Sequence, residues 1–292
     1  LPGLALLALC GGASLPQLPA AMRSLWNTLV PDVELRTSAY ALVAVVFELA
    51  VVTAPALVAA IAAVTSAQVA LLAAGIVAVA SALSFSVTGA SRAWRGTPHE
   101  VGWLGPLGAP GMRTVFFVLV AFGAAFGILQ VAVPAFADER GAAETGGLLL
   151  AAIPAASLVG GLLYGARTWP GALSARFPAL MLVLAGTYAV LSVADSHALL
   201  AALLLLCGLL FAPTTVVAST LLDTVAPRGT VTEAFAAMVM GIVAGTALGN
   251  ALGGTLVEAA SFAVAVLVGG AIVAAGGIYA LARRATLRAT PS

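Results

Sequence analysis

The chain has 292 residues, of which 62% are hydrophobic and only 8% are charged, and its formal net charge is +1. A soluble domain carries about 25% charged residues, so this composition excludes a soluble globular protein, and the small net charge gives no indication of nucleic-acid binding. The apolar stretches run unbroken for about 20 residues, the length that a membrane-spanning helix needs, whereas a membrane β-barrel would show shorter, alternating segments. We therefore predict an all-α integral membrane protein that lies in a lipid bilayer.

Nine apolar segments are predicted to be transmembrane helices. They are 1–26, 37–64, 67–90, 114–137, 145–166, 177–194, 198–222, 234–257 and 259–282. All arginines except Arg140 fall in alternate loops or in the tail after the last segment, and loops rich in arginine stay in the cytoplasm. We expect a multi-pass protein of the plasma membrane with a cytoplasmic C-terminus.

A loop rich in glycine and proline at 91–113 divides the predicted helices into two groups. Residues 1–90 hold three segments, residues 114–283 hold six, and 284–292 form a short tail. Composition of this kind is typical of a linker. We predict two helical bundles that are joined by a cytoplasmic linker.

An internal repeat relates the two groups. Residues 9–25 and 206–222 share a Leu-Cys-Gly sequence and a proline at an offset of 197, and they contain both cysteines, Cys10 and Cys207. The next pair follows at an offset of 195, where 39–41 aligns with 234–236. Parallel repeats are typical of transporters. The repeat predicts three further helices before Leu1, which would complete a fold of six plus six.

With this repeat, the whole chain resembles helices four to twelve of the major facilitator superfamily, in its drug-efflux and proton-antiporter branch. Ala41, Ala50 and Ala54-Pro55 hold the spacing of a glycine pattern from the fifth helix of that branch, with alanine in place of each glycine. The segment GGLLYGARTWPG, with Gly161, Gly165 and Arg167, resembles a cytoplasmic loop motif of the family. The resemblance implies alternating access, in which two bundles rock about a central site.

Glu48 is the one charged residue of segment 37–64 and lies near its middle. A charged acid at that depth costs about 2.5–3.5 kcal/mol on insertion scales, so we expect the carboxyl group to be neutral while it is enclosed by apolar residues. An acid that ionises only when water reaches it can carry a proton. The alternative is a neutral acid that is hydrogen-bonded to a neighbouring helix.

Three polar residues are candidates for a substrate cavity. Gln130 is the main polar residue of its segment, and its amide either binds substrate or joins two helices. Thr214 follows Pro213, so its hydroxyl either lines the cavity or bonds a carbonyl that the proline frees. Asn250 is the third candidate and is weaker.

A stripe of glycines recurs every four residues in segment 234–257, at Gly241, Gly245, Gly249 and Gly253. Small residues at this spacing let two helices approach closely. We predict a close helix contact there, which could also serve as a sliding surface between the two bundles. Ala50, Ala54 and Pro55 are expected to do the same in segment 37–64.

No constellation of catalytic residues is visible, and no nucleotide-binding loop is present. We expect no enzymatic activity, no cofactor and no metal, and an ion gradient as the energy source. The sequence favours a monomeric secondary transporter that exports a small amphipathic compound in exchange for protons. The alternative is a truncated remnant or membrane scaffold that transports nothing.

Overall fold

A computed structural model of the chain describes residues 18–93, 104–227 and 229–288. These residues form α-helices joined by short loops, with 3-10 turns at Gly105–Gly108, Ala143–Thr145 and Arg284–Leu287. The helices are α1 Leu18–Leu29, α2 Val33–Val64, α3 Ala67–Val87, α4 Gly89–Ala93, α5 Pro110–Glu139, α6 Gly146–Gly165, α7 Leu173–Leu191, α8 His197–Gly208, α9 Phe211–Val225, α10 Val231–Ala259 and α11 Phe262–Ala282.

Polar residues set the start of several helices. Asp32, Ser66, Ser196 and Ser261 each accept a hydrogen bond from the backbone N–H three residues later, and so cap α2, α3, α8 and α11. Such a cap satisfies one of the N–H groups that a first turn leaves without a partner. Helix α5 instead begins with Pro110, which needs no N–H partner, so the last four residues of the predicted linker 91–113 belong to a helix.

Seven segments in the described part of the chain are long and apolar enough to cross a membrane. They are Gln68–Val87, Pro110–Glu139, Ala143–Gly165, Leu173–Leu191, His197–Val225, Val231–Ala259 and Phe262–Ala282. The all-α class is therefore confirmed, and the number of apolar helices is typical of a multi-pass membrane protein. Of the remaining predicted segments, 37–64 lies within the 32-residue α2, and most of 1–26 lies outside the described residues.

Helix α5 is the most enclosed of the seven membrane-length segments. It packs along α10 and α11, and it also contacts α6 and α9. Val115, Ala125, Ile128 and Ala132 have no exposed surface. By contrast, α3 contacts mainly α2 and leaves large apolar side chains such as Leu71 and Ile76 about 70% exposed, which lipid can solvate.

Different side-chain contacts are found at the two ends of the helix bundle. At one end, the hydroxyl groups of Thr114 and Thr286 are 3.0 Å apart. At the other end, Arg140 Nε donates to the carbonyl oxygen of Asp195, and the guanidinium lies 3.6 Å from the centre of the Phe136 ring. Arg113 and Arg283 lie at the first end, and so do Arg36 and Arg176, because successive long helices run in opposite directions. We refer to this end as the arginine-rich end.

Candidate functional site

A break in the middle of a membrane-length segment separates α8 from α9. The N–H of Leu210 bonds to the carbonyl of Cys207, three residues back, and Ala212 N–H finds its partner on another helix. Pro213 has no N–H to offer to the carbonyl of Leu209. The predicted single helix 198–222 is therefore two helices, because the i to i−4 ladder cannot continue through these residues.

Helix α6 supplies a hydrogen-bond acceptor to the break and packs directly against it. Ala212 N–H donates to Ser157 Oγ at 3.0 Å. A Cβ atom added to Gly160 would overlap the carbonyl oxygen of Leu209, and one added to Gly208 would overlap that of Ile153. The two segments thus meet backbone to backbone, which is the setting in which a non-helical turn is tolerated at membrane depth.

Thr214 lies directly after the break and is fully buried. Its hydroxyl donates to the carbonyl of Leu210 at 2.7 Å, and Thr215 Oγ1 donates to Ala212 at 3.0 Å. Both hydroxyls therefore bond to their own helix, one turn back. The carbonyl that Pro213 frees belongs to Leu209 and lies against α6, so Thr214 does not bond it.

Three phenylalanines cover the break on the side of α5. The Phe211 ring centre lies 4.9 Å from that of Phe122 and 5.4 Å from that of Phe126. Gln130 follows Phe126 by one turn on the same face of α5 and is half-buried. Its amide has no hydrogen-bond partner among the residues that the structure describes. The aromatic cluster was not predicted, although the spacing of Phe122, Phe126 and Gln130 could have indicated it.

Asn250 lies on the other side of α5, where that helix meets α10. Its backbone nitrogen is next to Gly127, since an added Cβ there would come within 2.8 Å of it. The Oδ1 atom of Asn250 is buried and accepts no hydrogen bond from the described residues. A buried amide oxygen without a donor is costly, so the site favours a water molecule or a ligand that can donate.

The glycine stripe of α10 packs against α5. An added Cβ at Gly245 would overlap the carbonyl oxygen of Val120, and one at Gly249 would overlap that of Ala124. Gly241 and Gly253 extend the same contact, which lies between Phe116 and Val131 on α5. Both helices belong to the predicted second bundle, so the contact lies within that bundle and not between the two bundles.

Helix α2 holds the remaining candidates of segment 37–64. The side chains of Glu48 and Pro55 lie outside the described part of the structure. Ala50 and Ala54 are exposed, whereas Ala41 is buried against Gly165 of α6. Of the three predicted alanine positions, Ala41 alone lies at a close contact between described helices.

The predicted loop motif begins inside a helix. Gly161 and Gly165 occupy the last turns of α6, where Gly161 lies against Val45 and Ala212. Arg167 is in the exposed loop that follows. By resemblance to the family, these glycines are assigned to a loop motif, although both lie within the predicted segment 145–166. In the structure, their missing side chains allow α2 to pack closely against α6.

Arg176 organises the loop after α6. Its guanidinium donates to Tyr164 Oη at 2.9 Å and to the carbonyls of Trp169 and Gly171 at 2.6 and 2.9 Å. The indole of Trp169 stacks on the Tyr164 ring, with ring centres 5.1 Å apart. This loop forms one wall of a cavity of about 420 Å³ at the arginine-rich end. Gln130, Thr214 and Asn250 do not line this cavity.

A buried ion pair lies beside the cavity, and it was not predicted from the sequence. Arg36 Nε is 3.1 Å from Asp223 Oδ2, and Asp223 also accepts a hydrogen bond from the hydroxyl of Tyr40. The side chain of Asp223 is 1% exposed. Asp223 lies one residue beyond the predicted segment 198–222, so the criterion that selected Glu48, a single charged residue near the middle of a segment, does not find it.

No family model matches the chain, and no curated protein sequence matches it. What the chain does must therefore be argued from the geometry of the described residues.

Proposed function

We propose that the chain belongs to a secondary active transporter of the major facilitator type, which exports a small amphipathic compound in exchange for protons. Residues 1–90 and 114–283 would form its two bundles, with nine spans in all. Alternating access between the bundles would expose a central site to each side of the membrane in turn.

The break between α8 and α9 is the observation that carries the proposal. It lies near the middle of the 29-residue segment His197–Val225, and interrupted helices near the bilayer midplane are typical of transporters. A membrane scaffold gains nothing from such a break, because continuous helices satisfy the backbone without help from a neighbour.

The contact between Tyr40 and Phe235 supports the arrangement of two related bundles. These two residues occupy equivalent positions in the repeat with offset 195, and their ring centres lie 5.7 Å apart. In a two-fold arrangement, equivalent residues meet at the axis. The aromatic pair is where such an axis would pass between α2 and α10.

The side chains around the break favour an amphipathic substrate. Phe126 and Phe211 offer an apolar and aromatic surface, and the amide of Gln130 can both donate and accept hydrogen bonds. Residues 114–137 of α5 carry no charge. A compound with an apolar body and one uncharged polar group would fit better than a phosphorylated sugar, which would require arginines at this depth.

Transport by purified protein in liposomes tests the proposal. We expect apolar dyes or drugs with one polar group to exchange across the membrane, and we expect Gln130→Leu to slow the exchange about tenfold. Gln68→Leu is the matched control, because Gln68 is exposed at the start of α3. If the intact chain moves none of a broad panel of such compounds, the non-transporting remnant or scaffold is the better reading.

Glu48 is the proposed proton carrier. We expect Glu48→Gln to abolish transport that a pH gradient drives, since the amide cannot release a proton, while exchange of substrate without a gradient persists. Glu144→Gln is the control, because Glu144 is exposed at the opposite end from the arginines. Fluorescence of a pH-sensitive dye inside the liposomes gives the rate of proton-coupled transport, and release of preloaded substrate gives the rate of exchange. Unchanged gradient-driven transport at every pH would remove Glu48 from the mechanism.

A further inference from the structure

The buried cluster of Arg36, Tyr40 and Asp223, together with the cavity beside it, forms a site that the proposed function does not yet use. Arg36 and Tyr40 are one turn apart on α2, and Asp223 is near the end of α9. Their side chains are the main polar contact between these helices, one from each proposed bundle. The three side chains therefore join the bundles at the arginine-rich end.

The cavity brings solvent close to this cluster. Thr37, the residue after Arg36, and Thr220, one turn before Asp223, both line it, and their hydroxyl oxygens are 3.5 Å apart. The other polar lining side chains are those of Asp32, Glu34, Ser38, Arg167, Thr168 and Arg176. Ser38 also donates to the carbonyl of Gly165 at 3.1 Å. The threonine pair thus separates the open cavity from a carboxylate that is 1% exposed.

We propose that Asp223 is a second proton-binding carboxyl group of the transport cycle, and that its protonation releases α2 from α9. The inference rests on the proposed proton-coupled function and assigns it a further residue. A proton from water in the cavity would bind Asp223 Oδ2 and cancel the charge that faces Arg36. A hydrogen bond to a neutral carboxyl group is weaker than one to a carboxylate, so the contact between Arg36 and Asp223 would weaken and α2 would separate from α9. Release of the proton to the same side would restore the ion pair and close this end.

Other charged groups of the described residues lie on the elements that pack against α9. Arg176 of α7 is bound to Tyr164 and to loop carbonyls, so its charge is already held in place. At the arginine-rich end, the remaining described charged groups on the elements that pack against α9 are those of Asp32 and Glu34 at the start of α2, Arg113 on α5, Glu233 on α10 and Arg284 in the 3-10 turn after α11. At the opposite end, the same elements carry Asp138 and Glu139 on α5, His197 on α8 and Glu258 on α10. Asp223 is the carboxylate that contacts both Arg36 and Tyr40.

Thiol labelling at the interface tests the proposal without any substrate. In a background without Cys10 and Cys207, Ala44→Cys places a thiol one turn beyond Tyr40, where the side chain is 5% exposed. Thr168→Cys, in the exposed loop, serves as the reference for the intrinsic pH dependence of the thiol. We expect the ratio of the two labelling rates to rise about tenfold from pH 8 to pH 5.

Asp223→Asn is expected to keep the ratio high and independent of pH, whereas Asp223→Glu should retain a pH dependence. Tyr40→Phe removes one hydrogen bond to the carboxylate and should move the midpoint to higher pH. Tyr40→Phe decides the question if Asp223→Asn does not fold. A ratio that changes equally with pH in Asp223→Asn, or an unshifted midpoint in Tyr40→Phe, would overturn the proposal. Substrate exchange in liposomes is measured separately. A failure of the proton-dependent contact between α2 and α9 can therefore be distinguished from a failure of the transport function.

Discussion

At the scale of single residues, the glycines of α10 act through the side chain that they lack. Carbonyl oxygens of α5 occupy the space where a Cβ atom would be at Gly245 and Gly249. The contact is reciprocal, because Gly123 of α5 lies against the backbone of Ile242 in the same way. A single methyl group on either helix must therefore push the two backbones apart.

Gly249→Ala is expected to lower stability by about 1–3 kcal/mol, the usual cost of overpacking. Gly254→Ala on the same helix is the matched control, since an added Cβ there meets nothing within 4 Å. Thermal unfolding of the two variants in the same detergent gives the comparison. Equal melting temperatures would mean that the backbones are not in contact.

The sequence could predict such residues only where the signal is local. The glycine stripe is visible because its members recur every four residues, and the close helix contact that it predicted is present. Its partner helix, α5, could not be read from the stripe. Arg36 and Asp223 are 187 positions apart, and no local pattern joins them. Gln130 was predicted as a cavity residue because it is the one amide in a segment without charges. Its neighbours Phe122 and Phe126 were not singled out, because apolar residues are common in such a segment.

At the scale of helices, Ser157 is the residue on which the break between α8 and α9 depends. Ser157→Ala leaves the N–H of Ala212 without its acceptor in a buried setting, which costs about 1–3 kcal/mol. We expect faster amide hydrogen exchange at 209–212 and a lower melting temperature. Ser86→Ala is the control, because the Ser86 hydroxyl is exposed and donates to a carbonyl of its own helix. Unchanged exchange at 209–212 would show that another group holds this turn.

Helix positions were easier to predict than helix continuity. Apart from 1–26, most of which lies outside the described residues, the apolar segments predicted the positions of the helices to within a few residues, because length and hydrophobicity decide what can cross a membrane. The segment 198–222 was predicted as one helix, although Pro213 was noted. Proline removes one hydrogen bond, but Ser157 and Gly160 of another helix stabilise the open turn, and that is a tertiary effect.

At the scale of the whole molecule, the two ends of the helices differ in charge, and this difference predicts an orientation. Thr168 lies in an exposed loop at the arginine-rich end, and Ser196 is exposed at the opposite end. We expect a membrane-impermeant maleimide to label Ser196→Cys on intact cells, and Thr168→Cys only after permeabilisation, because arginine-rich loops remain in the cytoplasm. Both variants need the background without Cys10 and Cys207. The reverse pattern would invert the proposed direction of export.

The direct contact between α5 and α10 also limits how the molecule can change shape. Two helices whose backbones touch cannot twist or separate independently, because at the glycine positions no flexible side chains lie between them to accommodate a shift. The two helices are expected to move as one rigid unit. By the same argument, the turn between Gly208 and Phe211, which meets the backbone of α6, would move together with α6. Deformation during a transport cycle would then concentrate between these two rigid pairs of helices and not inside either pair.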